Sequence, residues 1–232
     1  VAKEKLFRYD AITRFENVIQ MGSKDPDWVF PERGRWNVIF GNDHPITLEL
    51  ACGKGDYTLE LARRHPERNF IGVDLKGDRI YKGAKIALEE GLTNVRFLRI
   101  FIDHVVNYFA PGVVDGIWIT FPDPYLNEKK KNKRLSAPVF QERYRQILTS
   151  GGRVRFKTDD PTLDAFTLQT LEEMGIPVVR RVDDVHGTAH GDPLLDITTY
   201  YERKHLAIGR TIRYTEWVLN RTGWTNAPSD VP

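Results

Sequence analysis

Ile46-Thr47-Leu48-Glu49-Leu50-Ala51-Cys52-Gly53-Lys54-Gly55 is the stretch on which the fold turns. A short apolar run meets two glycines one residue apart, and a helical pattern follows over 57–65, with helical spacing visible in Leu59, Leu61 and Ala62. A strand, a glycine turn and a helix in this order bring backbone close to a ligand, because glycine lacks the Cβ that would block the approach.

Outward from this unit the pattern repeats. Apolar runs at 70–75, 95–100, 116–120 and 153–158 predict strands. Helical spacing over 78–90, a short helix at 105–109, a helix with Pro138 in its first turn running through Ile147, and a helix over 161–174 separate or follow them. Two further β-rich stretches, 176–182 and 197–203, flank a loop containing glycine and histidine. Five β–α units followed by a strand–loop–strand predict an α/β, doubly wound, seven-stranded mixed sheet with an antiparallel C-terminal strand. That layout is similar to the class I methyltransferase (Rossmann-like) fold. The expected organisation is an N-terminal extension over 1–45, partly ordered by Trp28 and Trp36, a catalytic domain over 46–220 and a C-terminal tail over 221–232.

Composition narrows the function classes. Of 232 residues, 41% are hydrophobic and 28% charged, which supports a sizeable core and argues against wholesale disorder. No run approaches the roughly 18–20 apolar residues of a membrane span, and the charged start lacks the apolar centre of a signal peptide. The single cysteine, Cys52, excludes an internal disulfide and a multi-cysteine metal site, so a cytoplasmic protein without a metal is expected. Net charge is only +2, yet Lys129, Lys130, Lys131, Lys133 and Arg134 crowd one short stretch. Such a run is either a solvated loop or a patch for a polyanion.

Two acids mark the cofactor end. Glu49 lies inside an apolar strand, where a carboxylate needs a partner. Asp74 ends the next strand, the place from which an acid accepts hydrogen bonds from a ribose diol. An NAD enzyme would carry an acid there too, but the turn lacks Gly-x-Gly-x-x-Gly, and Glu49 would repel a phosphate. A cofactor with a sulfonium and an amine, S-adenosylmethionine, suits this charge pattern better.

After the strand at 116–120 comes Phe121-Pro122-Asp123-Pro124-Tyr125. Two prolines hold an acid and a ring with little freedom, an arrangement suited to a planar base. Asp-Pro-aromatic, then a basic run ending Lys133-Arg134-Leu135, then Phe156-Lys157-Thr158-Asp159, then Thr199-Tyr200-Tyr201-Glu202 resembles, in order and spacing, the tRNA (guanine-N7) methyltransferases. The resemblance covers roughly residues 47–217.

It implies methyl transfer from S-adenosylmethionine to N7 of guanine 46 in the tRNA variable loop, leaving S-adenosylhomocysteine. It also implies a tRNA partner and a monomer or homodimer. Carried over by motif, Glu49, Ala51, Gly53, Gly55, Asp74, Phe101 and Ile102 would bind the cofactor. Asp123 would stand at the junction of cofactor and guanine as the catalytic residue. Asp159 with Thr199, Tyr200, Tyr201 and Glu202 would hold guanine, while Asn127, Lys129, Lys130, Lys131, Lys133 and Arg134 would meet the RNA. Ala51 replaces the glycine that usually opens the cofactor turn, Phe101 stands where an acid commonly follows the third strand, and Asn127 where a lysine is common. The other readings are an amino-group methyltransferase, a non-catalytic RNA-binding module and an NAD(P)-dependent oxidoreductase.

Overall fold

Apolar runs punctuated by Gly-containing turns become a parallel sheet because both of its faces are covered. The computed structural model describes residues 2–23, 25 and 27–220; the tail read over 221–232 lies outside the described residues. The chain opens with α1 (Ala2–Ala11), β1 (Val18–Gln20) and α2 (Trp36–Phe40). The repeating units follow as β2 (Ile46–Leu50), α3 (Asp56–Arg64), β3 (Asn69–Asp74), α4 (Gly77–Glu89), β4 (Val95–Arg99), α5 (Val105–Tyr108) and β5 (Val114–Thr120). A 3-10 helix over Glu128–Lys133 leads to α6 (Pro138–Ile147), β6 (Leu148–Thr158), α7 (Pro161–Glu173), β7 (Val178–Val182), α8 (Tyr200–Ala207) and β8 (Arg213–Val218).

The described strands form one sheet in the order β1-β4-β3-β2-β5-β6-β8-β7. All neighbours from β1 to β6 pair in parallel, and β8 runs antiparallel to both β6 and β7. Leu48, Ile117, Val154 and Trp217 feed the core on one face, and Phe97, Trp118 and Tyr214 the other. Strand order reverses between β2 and β5, so the crevice beyond their carboxyl ends is where a doubly wound sheet binds its ligand.

The α/β mixed sheet with an antiparallel C-terminal strand is as expected, but two details differ. The sheet has eight strands rather than seven. Val18–Gln20 adds an edge strand in register with Phe97–Arg99, and three residues are too few to show an alternation in sequence. The segment before residue 46 also contributes Trp36, which stacks on Phe109 at 4.8 Å.

The stretch 197–203 is not a strand. Thr199 accepts from Glu202 N at 3.1 Å and Glu202 Oε2 accepts from Thr199 N at 3.4 Å, a reciprocal cap that starts α8. β-branched and aromatic residues favoured a strand there, but satisfying helix-end donors decided the local structure. The antiparallel strand is instead Arg213–Val218.

Candidate active site

The turn after β2 is built by three residues with left-handed backbone: Ala51 at φ 57°, Gly53 at 57° and Gly55 at 72°. Gly55 could not carry a side chain even with a favourable φ, because a Cβ there would sit 2.6 Å from the Phe97 ring. From the other side α4 presses Gly83 so close that a Cβ would meet Lys54 O at 2.3 Å.

Ala51 adopts the conformation for which glycine is the natural choice, and a left-handed residue with a Cβ costs roughly 1–2 kcal/mol. Ala51→Gly is therefore expected to raise stability by about 1 kcal/mol, or about 2–4 °C in Tm, as read by thermal unfolding. An unchanged or lower Tm would mean that the turn relaxes without penalty.

Glu49 is buried beneath this turn. Its Oε2 accepts from Thr58 N and Thr58 Oγ1 and its Oε1 from Thr120 Oγ1. The carboxylate thus ties the first turn of α3 to the end of β5, and three donors leave about one of its four lone-pair sites open. Burial, opposed by the two threonines, raises its pKa from 4.5 to about 7.

An acid that holds its proton more tightly when folded stabilises the fold most below the unfolded value near 4.5. That contribution is lost as pH rises from about 4.5 to about 7. Wild type without cofactor is expected to lose about 3 kcal/mol more over this window than Glu49→Gln does. Chemical denaturation at a series of pH values measures the difference, and parallel curves for the two proteins would contradict it.

Asp74, at the end of β3, accepts from Gly53 N through Oδ2 at 2.9 Å and from Lys76 N through Oδ1 at 2.8 Å. One oxygen fixes the glycine turn and the other the start of α4, and each keeps lone-pair capacity for a diol. Glu49, Asp74, Phe101, Ile102 and Asp103 line one cleft of about 680 Å³, a size suited to a cofactor. Ala51 and Gly53 line it too, whereas Gly55, expected beside them, does not line it and stands at the N-terminus of α3.

The same cleft reaches Phe121-Pro122-Asp123-Pro124-Tyr125. Phe121 at φ 51° and Tyr125 at 42° are both left-handed and bracket the acid. Phe121 N donates to Lys157 O at 2.9 Å, anchoring one end of the loop to β6. Arg134 anchors the other, donating from Nε to Pro124 O at 3.0 Å and from Nη2 to Tyr125 O at 3.1 Å. Asp123 itself is exposed and makes no hydrogen bond or ion pair among the described residues. A carboxylate so held and left unpartnered is poised for a ligand.

The far wall of the cleft carries Asp159, Thr199, Tyr200, Tyr201, His205 and Arg210. Asp159 Oδ2 accepts from Arg210 Nη1 and lies 3.0 Å from His205 Nδ1, while the His205 ring stacks on Phe121 at 5.9 Å. The helix at Pro161 is capped by the neighbouring Asp160, which accepts from Leu163 N at 2.8 Å, and not by Asp159. Tyr200 N donates to Asp56 Oδ2 at 2.6 Å, which locks α8 to the first residue of α3.

Several expected contacts fall elsewhere. Arg134 is buried, with its guanidinium held by Pro124, Tyr125 and Glu128, so it clamps the Asp123 loop and is not available to a phosphate. Glu202 is wholly buried outside the cleft, where Oε1 accepts from Lys157 Nζ at 2.7 Å and lies 2.9 Å from His186 Nε2. With Oε2 in the helix cap, its carboxylate is closed to guanine. Asn127 also lies outside the cleft and accepts from Lys129 N at 2.9 Å, capping the 3-10 helix. Lys133 lines the cleft, and Lys129, Lys130 and Lys131 are exposed beyond it.

Sequence reasoning missed His205, Arg210 and the burial of Lys157. For Lys157 the signal was present, since a charge within the apolar run 154–158 demands a partner as Glu49 does. Nothing local marked His205 or Arg210, which reach the cleft only through the packing of α8.

The family model described as "Putative methyltransferase" matches residues 43–215. A tRNA (guanine-N(7)-)-methyltransferase from Porphyromonas gingivalis is 48% identical over 192 residues, covering 82% of this chain and 78% of that protein. One from Christiangramia forsetii is 43% identical, covering 94% and 99%. Among solved structures, the 16S rRNA (adenine(1408)-N(1))-methyltransferase from Catenulisporales acidiphilia superposes with a TM-score of 0.59 at 17% identity, over 86% of this chain and 95% of that one, a likeness of fold. Motif order, the acid-floored crevice at the strand-order switch and the two relatives agree: the chain belongs to the tRNA (guanine-N(7)-)-methyltransferase family.

Proposed function

We propose that the protein transfers a methyl group from S-adenosylmethionine to N7 of guanine 46 in the variable loop of tRNA. The observation that carries the chemistry is Asp123, pinned between two prolines and unpaired, at the mouth of a cleft floored by Glu49 and Asp74. The residues present fit the cofactor: Asp74 has acceptor capacity for a ribose diol, and Glu49 and Asp56 supply negative potential for an amine and a sulfonium. Phe101 and Ile102 offer apolar surface for the adenine ring, while Ala51, Gly53 and Gly55 shape the backbone around it.

When bound, S-adenosylmethionine would supply an electrophilic methyl group to guanine N7, the electron pair of the broken S–CH3 bond staying on sulfur so that S-adenosylhomocysteine is the leaving group. Guanine N7 carries a free lone pair at neutral pH, so no proton is removed before attack and the chain needs no general base. Asp123 aligns the guanine and stabilises the positive charge that its ring acquires. Orientation of this kind is worth up to ~7–11 kcal/mol in well-aligned systems. Asp159 is the acceptor on the opposite wall for guanine N–H groups, with Tyr200 and Tyr201 as stacking surfaces. Exposed Lys129, Lys130 and Lys131, with Lys133, meet RNA phosphates.

The test is transfer of labelled methyl to a tRNA mixture with nucleoside analysis of the product. Label in 7-methylguanosine at the variable loop is expected. Label on an exocyclic amine, or none, would overturn the proposal.

A further inference from the structure

Four cations beside the cleft lack the carboxylate partners that hold many others. Arg63 forms a fork with Glu90 and Arg181 holds Asp164 and Asp183, so these guanidinium groups are neutralised where they lie. Lys54, Arg79, Lys82 and Lys204 have no such partner among the described residues.

Three of these four lie against aromatic rings. The Tyr200 ring has Lys54 Nζ 3.5 Å and Lys204 Nζ 4.6 Å from its centroid. Arg79 Cζ lies 5.7 Å from the Tyr201 ring, and the two tyrosines meet edge to face at 5.5 Å. Lys82 adds its field to Tyr200 from the next turn of α4.

An aromatic face attracts a cation but carries no net charge, so it orders the side chain and leaves its positive potential intact. A carboxylate in the same place would cancel that potential. Lys54 and Arg79 border the cleft, and exposed Lys82 and Lys204 extend the cluster away from it. The cluster joins the glycine turn, α4 and α8, and is separate in sequence from the lysines at 129–133.

We infer that Lys54, Arg79 and Lys204, ordered on Tyr200 and Tyr201, form together with the neighbouring exposed Lys82 a second binding rim for RNA phosphates beside the active-site cleft. The inference rests on the tRNA reading given above. Ordered, unneutralised cations suit a polyanion that releases counterions on binding, and the exposed Tyr201 ring beside them suits an unstacked base.

Lys82 and Lys204 lie outside the cleft, so Lys82→Ala/Lys204→Ala tests the rim without touching cofactor contacts. Binding of purified tRNA across a salt series is expected to weaken about ten-fold near physiological salt. The slope of log Kd against log salt should fall by about 1.5–2, the share of two phosphate contacts. Cofactor affinity by calorimetry should stay within about two-fold, and Lys82→Arg/Lys204→Arg should bind tRNA as wild type does.

Unchanged tRNA affinity and slope in the alanine variant would overturn the inference. So would weaker binding at an unchanged slope, which would exclude a phosphate contact. Failure of wild type to bind tRNA would overturn the functional reading and the rim together, whereas wild-type binding unaffected by the variant would overturn the rim alone.

Discussion

Alanine at Asp123 is expected to lower methyl transfer to tRNA by about 10²–10³-fold, the usual effect of deleting one preorganised electrostatic group at a reacting centre. Cofactor affinity should change little, because the floor of the cleft is made by Glu49, Asp74 and the turn between β2 and α3. Thermal stability should also hold, since the side chain is exposed and its removal leaves no buried group unpaired. The loop is kept in place by Phe121 N on Lys157 O and by the two bonds from Arg134, none of which involves the Asp123 carboxylate.

Asp123→Asn separates the two parts of the role. The amide preserves shape and one acceptor but not the charge, so a loss close to that of alanine would assign the effect to stabilising the cationic ring. Partial retention would assign it to alignment. Single-turnover kinetics with tRNA, alongside calorimetric cofactor binding, makes the measurement. Wild-type rate in the alanine variant would remove Asp123 from the mechanism.

Glu202→Ala should have the largest effect on stability. Lys157 is fully buried, and its ammonium donates to Leu195 O at 3.1 Å, Ile197 O at 3.2 Å and Glu202 Oε1 at 2.7 Å. Burial already pushes the Lys157 pKa down, with Glu202 opposing the shift. Removing the carboxylate leaves a buried cation uncompensated, which typically costs about 3–5 kcal/mol, or about 6–20 °C in Tm for a chain of this size.

The Glu202 side-chain half of the α8 cap is lost in the same step, so Tyr200 and Tyr201 should shift and activity should fall with the fold. Replacing both partners by apolar residues, Lys157→Met/Glu202→Leu, is expected to recover much of the Tm, because it removes the buried charge altogether. A direct role in holding guanine predicts the reverse: Glu202→Gln would lose kcat with Tm unchanged. Differential scanning calorimetry beside steady-state kinetics distinguishes the two.

The same logic explains which parts of the site could be read in advance. Glu49 and Asp74 were legible because each breaks a local pattern, a charge in an apolar strand and an acid at a strand end. Asp123 was legible because flanking prolines restrict it whatever surrounds it. Arg134 and Glu202 were misassigned. Each is a charged residue within a longer motif, and a motif does not reveal whether its charge faces a ligand or a partner within the protein.

The amino-acid sequence by itself determined the alternation of strands and helices, the glycine turn, the acidic cofactor end and the family. All of these depend on residue type and spacing over a few positions, where periodicity and steric limits act directly. Tertiary structure alone decided that 18–20 completes the sheet and that Arg134 and Glu202 are internal struts. It also decided that His205 and Arg210 meet Asp159 on the far wall of the cleft. Those outcomes rest on burial and on pairing between residues 10 to 79 positions apart, which the fold sets and the local sequence does not.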